Sequence, residues 1–240
     1  MSKRIKEVRP NPVLSSTVEI RFNSSLKSEE TLSIFYGAFG KEYPKIKEKG
    51  IPTQIKNQDP NLRFAADYIL SNDSNLISFS NNVVVFENVG GYALWPNYFK
   101  IIKANLETLK TLNIVNSILR IGVRYASVFN TTKSISEVIS FNLSVGYPGY
   151  SQGTEYFRAE LKRAGIQLNL QLAQNAIIKK SEETLSGLYI DIDASRDSNL
   201  PAAINEDVAR VIDDLHSEEK DLFQHLLKQD FLNSLQVTYE

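Results

Sequence analysis

The chain has 240 residues, 42% of them hydrophobic and 23% charged, with a net charge of −1. That composition is ordinary for a globular protein, and the length allows a substantial buried core. There is no cysteine, which excludes disulfides, thiol catalysis and thiolate metal sites, while the near-neutral total argues against a dedicated nucleic-acid binder.

The opening residues, Met1–Pro10, are basic and lack the apolar segment of a signal peptide. No run approaches the length of a membrane span. The expectation is a cytoplasmic protein with no membrane association and no cofactor.

Val13–Phe22 has β character behind Pro10 and Pro12, which disfavour helix. Leu26–Tyr43 reads as a helix: Ser28 is placed to cap it, Glu29 and Glu30 suit its first turn, and Leu32, Phe35, Tyr36 and Phe39 recur at helical spacing. Lys41–Asp59 is polar, with Pro44 and Pro52 inside it, and reads as a loop. Leu62–Leu70 and Leu76–Glu87 read as strands joined by the turn-forming stretch Ser71–Asn75. After Gly90 and Gly91, Pro96 suits the first turn of a helix that carries Phe99, Ile102, Leu106 and Leu109 on one side. Ile118–Phe129 is a strand that closes this half. The order β-α-β-β-α-β predicts a ferredoxin-like unit over residues 1–130.

Residues 131–240 predict a second antiparallel sheet with strands near 138–145, 155–163, 166–176 and 188–193. Ile166, Leu168, Leu170 and Leu172 alternate with Gln167, Asn169 and Gln171, the pattern of a half-buried strand. From Asn205 the chain turns acidic and helical, and Ser217 before Glu218 and Glu219 predicts a break into two helices. The whole is expected to be an α+β protein: a ferredoxin-like half packed on an antiparallel-sheet half ending in helices, possibly one continuous domain.

Charge is uneven. Residues 1–130 hold 17 Lys and Arg against 11 Asp and Glu, a net of +6, whereas residues 131–240 hold 10 against 17, a net of −7. Either the two halves attract one another or a basic face is left for an acidic partner or nucleic acid.

In the strand Ser117–Tyr125, Leu119, Ile121, Val123 and Tyr125 share one face, and Arg120, Gly122 and Arg124 the other. Two guanidiniums roughly 13 Å apart across a bare glycine would flank a slot for a phosphate, a carboxylate or a nucleic-acid backbone. The alternative is that they pair with acids of the second half such as Asp191 and Asp193. Asp191 and Asp193 stand at i and i+2 on a strand, with Asp197 near in sequence, a set able to hold Mg²⁺ for phosphodiester chemistry. No P-loop, GxSxG or HExxH accompanies them. His216 and His225, nine residues apart, fall on opposite sides of a helix. Tyr147 and Tyr150 sit in the glycine-bearing loop Gly146–Gly153, a composition suited to binding. Tyr92, Trp95, Tyr98 and Phe99 form an aromatic group better suited to core packing than to base stacking.

A Pro-rich opening (Pro10-Asn11-Pro12-Val13), the R-x-G-x-R-Y strand from Arg120 to Tyr125, the D-x-D at Asp191 and the His216-to-Phe223 spacing together resemble a sporadically distributed family of uncharacterised bacterial proteins. Ser127 and Val128 stand where its members often carry Asn and Arg. The resemblance implies no established activity, and the family's patchy distribution looks like that of mobile, defence-associated or toxin–antitoxin cargo. The leading expectation is a non-catalytic binding protein that recognises an acidic or phosphate-bearing partner through Arg120, Arg124, Tyr147 and Tyr150. The alternatives are a metal-dependent phosphoesterase or nuclease using Asp191, Asp193 and Asp197, and an oligomeric scaffold built on the C-terminal helices.

Overall fold

The computed structural model describes residues 4–51, 53–89, 91–140, 155–180 and 183–239. It is an α+β protein with a large antiparallel β content and a few helices. Tertiary contacts group the chain into two compact units, one of residues 15–123 and 195–215, the other of residues 1–14, 124–194 and 216–240.

The first unit contains most of β2 (Val13–Asn23), then α1 (Ser28–Phe39), β3 (Lys45–Glu48), α2 (Thr53–Gln58), β4 (Tyr68–Ser71), β5 (Asn75–Ser80), β6 (Val83–Asn88), α3 (Leu94–Thr111) and the start of β7 (Ser117–Phe129). Its strands lie in the order β3-β4-β5-β6-β2-β7. The stretch expected as one strand at Leu76–Glu87 is two, folded into an antiparallel hairpin at Asn81-Asn82. Ser80 Oγ donates to Asn82 Oδ1, and the amide of Asn82 donates back to Ser80 Oγ, so two polar side chains supply the turn chemistry. Only Tyr68–Ser71 of the expected 62–70 strand is extended, and the loop over 41–59 holds β3 and α2. Ser28 is not the cap of α1. Lys27 occupies that position without a side-chain bond, and Thr31 Oγ1 instead donates back to the Lys27 carbonyl.

Alternation along β2 decides its two faces. Val18, Ile20 and Phe22 are fully buried, and Glu19 and Arg21 point the other way. The helices supply the matching apolar stripes, Phe35 and Phe39 from α1 and Ile102, Leu106 and Leu109 from α3. Phe35 stacks on Phe79 with centroids 4.2 Å apart. Tyr98 is buried too, and its hydroxyl donates to the carbonyls of Ser16 and Phe86 on neighbouring strands.

The second unit contains β1 (Ile5–Arg9), the rest of β7, α4 (Ile135–Val138), β8 (Tyr156–Arg163), β9 (Ile166–Lys180), most of β10 (Glu183–Arg196), the C-terminal half of α5 (Glu206–Leu226), α6 (Gln229–Asn233) and β11 (Gln236–Tyr239). Its strands run β7-β10-β9-β8, and β1 pairs separately with β11. The alternation expected for Ile166–Leu172 is present: all four apolar residues are buried. Val138 ends a short helix capped by a Ser134–Glu137 capping box rather than opening a strand. The expected break at Ser217 is absent, since α5 continues to Leu226. Leu222, Phe223 and Leu226 explain this by prolonging the apolar stripe, and tertiary packing outweighs the capping preference of one serine. Phe129 anchors this core between Phe223, stacked at 6.2 Å, and Phe231, edge-on at 5.2 Å. Among the described residues, no helix is long and apolar enough to cross a membrane.

Candidate functional site

In the first unit, the polar face of β2 and β7 gathers guanidiniums. Arg120 Nη1 donates to Glu19 Oε1 at 2.6 Å, and Arg21 Nε donates to the same oxygen at 2.7 Å, with Arg21 Nη2 reaching Oε2 at 3.3 Å. The i,i+2 spacing of Glu19 and Arg21 puts both on one strand face, and β7 is the neighbouring strand. Arg21 also lies over the ring of Phe64 at 4.9 Å, and Arg63 lies over the same ring at 5.1 Å. Three guanidiniums therefore converge on one carboxylate and one aromatic ring. Arg120 is mostly buried, Arg21 is a third exposed and Arg63 is exposed.

A hollow of about 510 Å³ adjoins Arg63, walled by Lys56, Asp67, Ser80, Asn81 and Asn82. Lys56 Nζ donates to Asp67 Oδ1 and to the Ala65 carbonyl, so this pair is close to neutral and Arg63 supplies the net charge. An adjoining hollow of about 360 Å³ carries Glu29 and Glu48, which confines the cationic character to the Arg63 side.

The slot expected above Gly122 is closed. The Arg120 guanidinium itself folds over that glycine, and a Cβ there would collide with it. Arg120 is thus drawn to Glu19 by a short charge-assisted bond rather than left to flank an opening.

In the second unit, Arg124 takes the pairing that the sequence offered as an alternative. Its Nε donates to Asp191 Oδ1 at 2.8 Å and its Nη2 to Oδ2 at 2.5 Å, a bidentate clasp. The Asp191 side chain is 3% exposed and that of Arg124 is 52% exposed. Tyr189, two residues back on β10, donates its hydroxyl to Asp191 Oδ2 at 2.9 Å. Burial, the Asp191 charge and this hydrogen bond push the Tyr189 phenol up to about 12. The bond to Asp191 raises the already high pKa of Arg124, and the Asp193 charge adds to it.

Both oxygens of Asp191 are engaged by Arg124 and Tyr189. Asp193 is half-buried, and Asp197 is exposed beyond the end of β10. Among the described residues there is no group of three or more His, Asp or Glu side chains able to hold a metal ion. Tyr147 and Tyr150 lie outside the described residues.

α5 carries two buried ionisable groups, His216 and Glu219. His216 is 6% exposed, and its ring lies 5.5 Å from that of Tyr125. Burial, with help from the Lys220 and Arg4 charges, pushes its pKa down to about 3. Glu219 is 4% exposed, and burial raises its carboxyl well above the ordinary range, with the Asp191 charge adding to the effect and Lys220 opposing it. The signal for Glu219 was its spacing: it stands four residues after Leu215, inside the apolar stripe. His225 is exposed, with its ring Nδ1 2.6 Å from the Asp221 carbonyl, so the two histidines do not act together. The aromatic group of α3 is mainly packing: Trp95 stacks on Phe99 at 5.1 Å, and its indole N–H donates to Asp213 at 2.7 Å.

No family model matches the chain, and no curated protein matches it.

Proposed function

We propose that this chain is a non-catalytic binding protein that recognises a phosphate-bearing or acidic partner through the cluster of Arg21, Arg63 and Arg120. The observation that carries this reading is the convergence of arginines, with Arg63 exposed and Arg21 a third exposed: Glu19 holds Arg21 and Arg120, while Arg63 and Arg21 share the Phe64 ring. Arginine suits such a role because its planar fork pairs bidentately with phosphate and carboxylate and stacks on aromatic rings. Glu19 and Phe64 hold the guanidiniums in place, so little side-chain entropy remains to be lost on binding. Arg124 stays a secondary contact, since its half-exposed guanidinium is already paired with Asp191.

The resemblance to a patchily distributed bacterial family supports a mobile or defence-associated setting for the partner, which would be a protein or a nucleic acid met in the cytoplasm. The fold reading goes with it. The chain order β2-α1-β5-β6-α3-β7 and the spatial order β7-β2-β6-β5 support a ferredoxin-like arrangement extended by β4 and β3.

Fluorescence anisotropy on two labelled probes tests the proposal, one an oligothymidylate and the other an oligoglutamate peptide, at low salt. At least one probe is expected to bind, with affinity falling as salt rises and dropping about tenfold or more in Arg21→Ala/Arg63→Ala. Failure of both probes, or equal binding by wild type and a folded double variant, overturns the reading.

A further inference from the structure

In the second unit a cleft of about 610 Å³ opens beside the end of β7, far enough into the range of small-molecule sites to hold a ligand. Its apolar walls are Pro12, Val128, Phe129, Leu185, Phe231 and Leu235. Phe129 and Phe231 are themselves fixed by their edge-on contact, and Pro12 is tied to β7 because its carbonyl accepts from the Val128 amide at 2.8 Å. The apolar surface is therefore built from locked side chains rather than from a collapsible loop.

The rim is polar. Asn11, Asn130 and Ser234 stand there with Lys133, the one charged side chain on the walls of the cleft among the described residues. The neighbouring Glu137 is occupied by the amide and hydroxyl of Ser134. An apolar interior with a single exposed ammonium at its mouth matches a ligand with an apolar body and one anionic end. A neutral hydrocarbon would leave the lysine unused, and a polyanion would leave the accessible apolar surface of Leu185 and Leu235 uncovered.

We propose that this cleft binds a small apolar monocarboxylate, with its hydrocarbon part against Leu185, Leu235 and the small exposed edges of Phe129 and Phe231, and its carboxylate at Lys133. This site is independent of the arginine cluster.

Isothermal titration of the full chain with decanoate, and separately with decanol, tests it. Decanoate is expected to give saturable binding at one site, about fivefold tighter than decanol, as one partly exposed ion pair would provide. Ser234→Trp places a bulky ring at an exposed position on the wall and is expected to abolish binding of both probes. Asn130→Trp serves the same purpose if that variant fails to fold. Lys133→Gln is expected to bring decanoate down to the affinity of decanol. Absence of saturable heat with either probe, or unchanged binding in a folded tryptophan variant, overturns the site. Equal affinity for decanoate and decanol in the wild type overturns the assignment of the anionic end.

Discussion

Arg124 and Asp191 form an unequal pair: the guanidinium is half exposed and the carboxylate it clasps is buried. The two partners therefore tolerate loss differently. Arg124→Ala leaves a buried carboxylate that still accepts from Tyr189, a cost of about 2–3 kcal/mol, somewhat below that of breaking a fully buried pair because the arginine is partly solvated. Asp191→Asn keeps hydrogen-bonding capacity beneath an arginine that water can reach, and about 1 kcal/mol is expected. Urea unfolding at neutral pH measures both, and equal losses would refute the asymmetry.

Tyr189 extends the same cluster to alkaline pH. Its folded-state pKa of about 12 lies above the unfolded value near 10, so its contribution is full below pH 10 and is lost as the pH rises toward 12. Tyr189→Phe is expected to flatten the fall in melting temperature across that window. An unchanged slope would show that the hydroxyl is not held by Asp191.

His216 and Glu219 pull in opposite directions on the acid side. The depressed pKa of His216 means that the unfolded chain takes up a proton first, so stability present above about pH 6.5 is lost as the pH falls toward 3. Glu219 has its pKa raised, so its contribution is full below the ordinary carboxyl value and lost as the pH rises through the folded value. Glu219→Gln is accordingly expected to raise the melting temperature at pH 7 and to have little effect at pH 4. His216→Gln is expected to reduce the loss between pH 6.5 and 3. Calorimetric scans across pH 3–8 decide both, and a stabilising effect of Glu219→Gln that is the same at pH 4 and pH 7 would contradict the burial argument.

Gly187 lies against the backbone of Phe129, with a φ of +147° and no room for a Cβ between it and the Phe129 carbonyl. Gly187→Ala meets backbone rather than a flexible side chain, so the strand has to shift, at a cost of about 3 kcal/mol or more. A melting temperature within a degree or two of wild type would show that β7 and β10 do not approach so closely.

Tyr98→Phe removes a buried hydroxyl from the carbonyls of Ser16 and Phe86 without opening a cavity. A loss of about 1–2 kcal/mol is expected in denaturant unfolding, and a neutral result would mean that water replaces the hydroxyl there.

Much of the secondary structure was legible because it follows from periodicity. The alternation of β2 and β9 and the spacing of Phe35 and Phe39 on α1 are local patterns, and the structure keeps them. Ser28 and Ser217 show the weakness of capping signals, which a longer apolar stripe or a neighbouring residue overrides. The hairpin inside Leu76–Glu87 was hidden because both arms are apolar, and the Asn81-Asn82 turn between them interrupts a run that otherwise reads as one strand.

By itself, the order of residues determined the α+β class, the split of β7 into an apolar face and an arginine face, and the absence of thiol chemistry, since each depends on composition or on a local repeat. Only tertiary structure decided which carboxylate each arginine meets. Glu19 reaches Arg120 from 101 residues away and Asp191 reaches Arg124 from 67, and a charge pattern along the chain holds no information on which strands become neighbours. The same holds for Arg21, Arg63 and Phe64, which become one site only because a carboxylate and a ring hold the guanidiniums together in space.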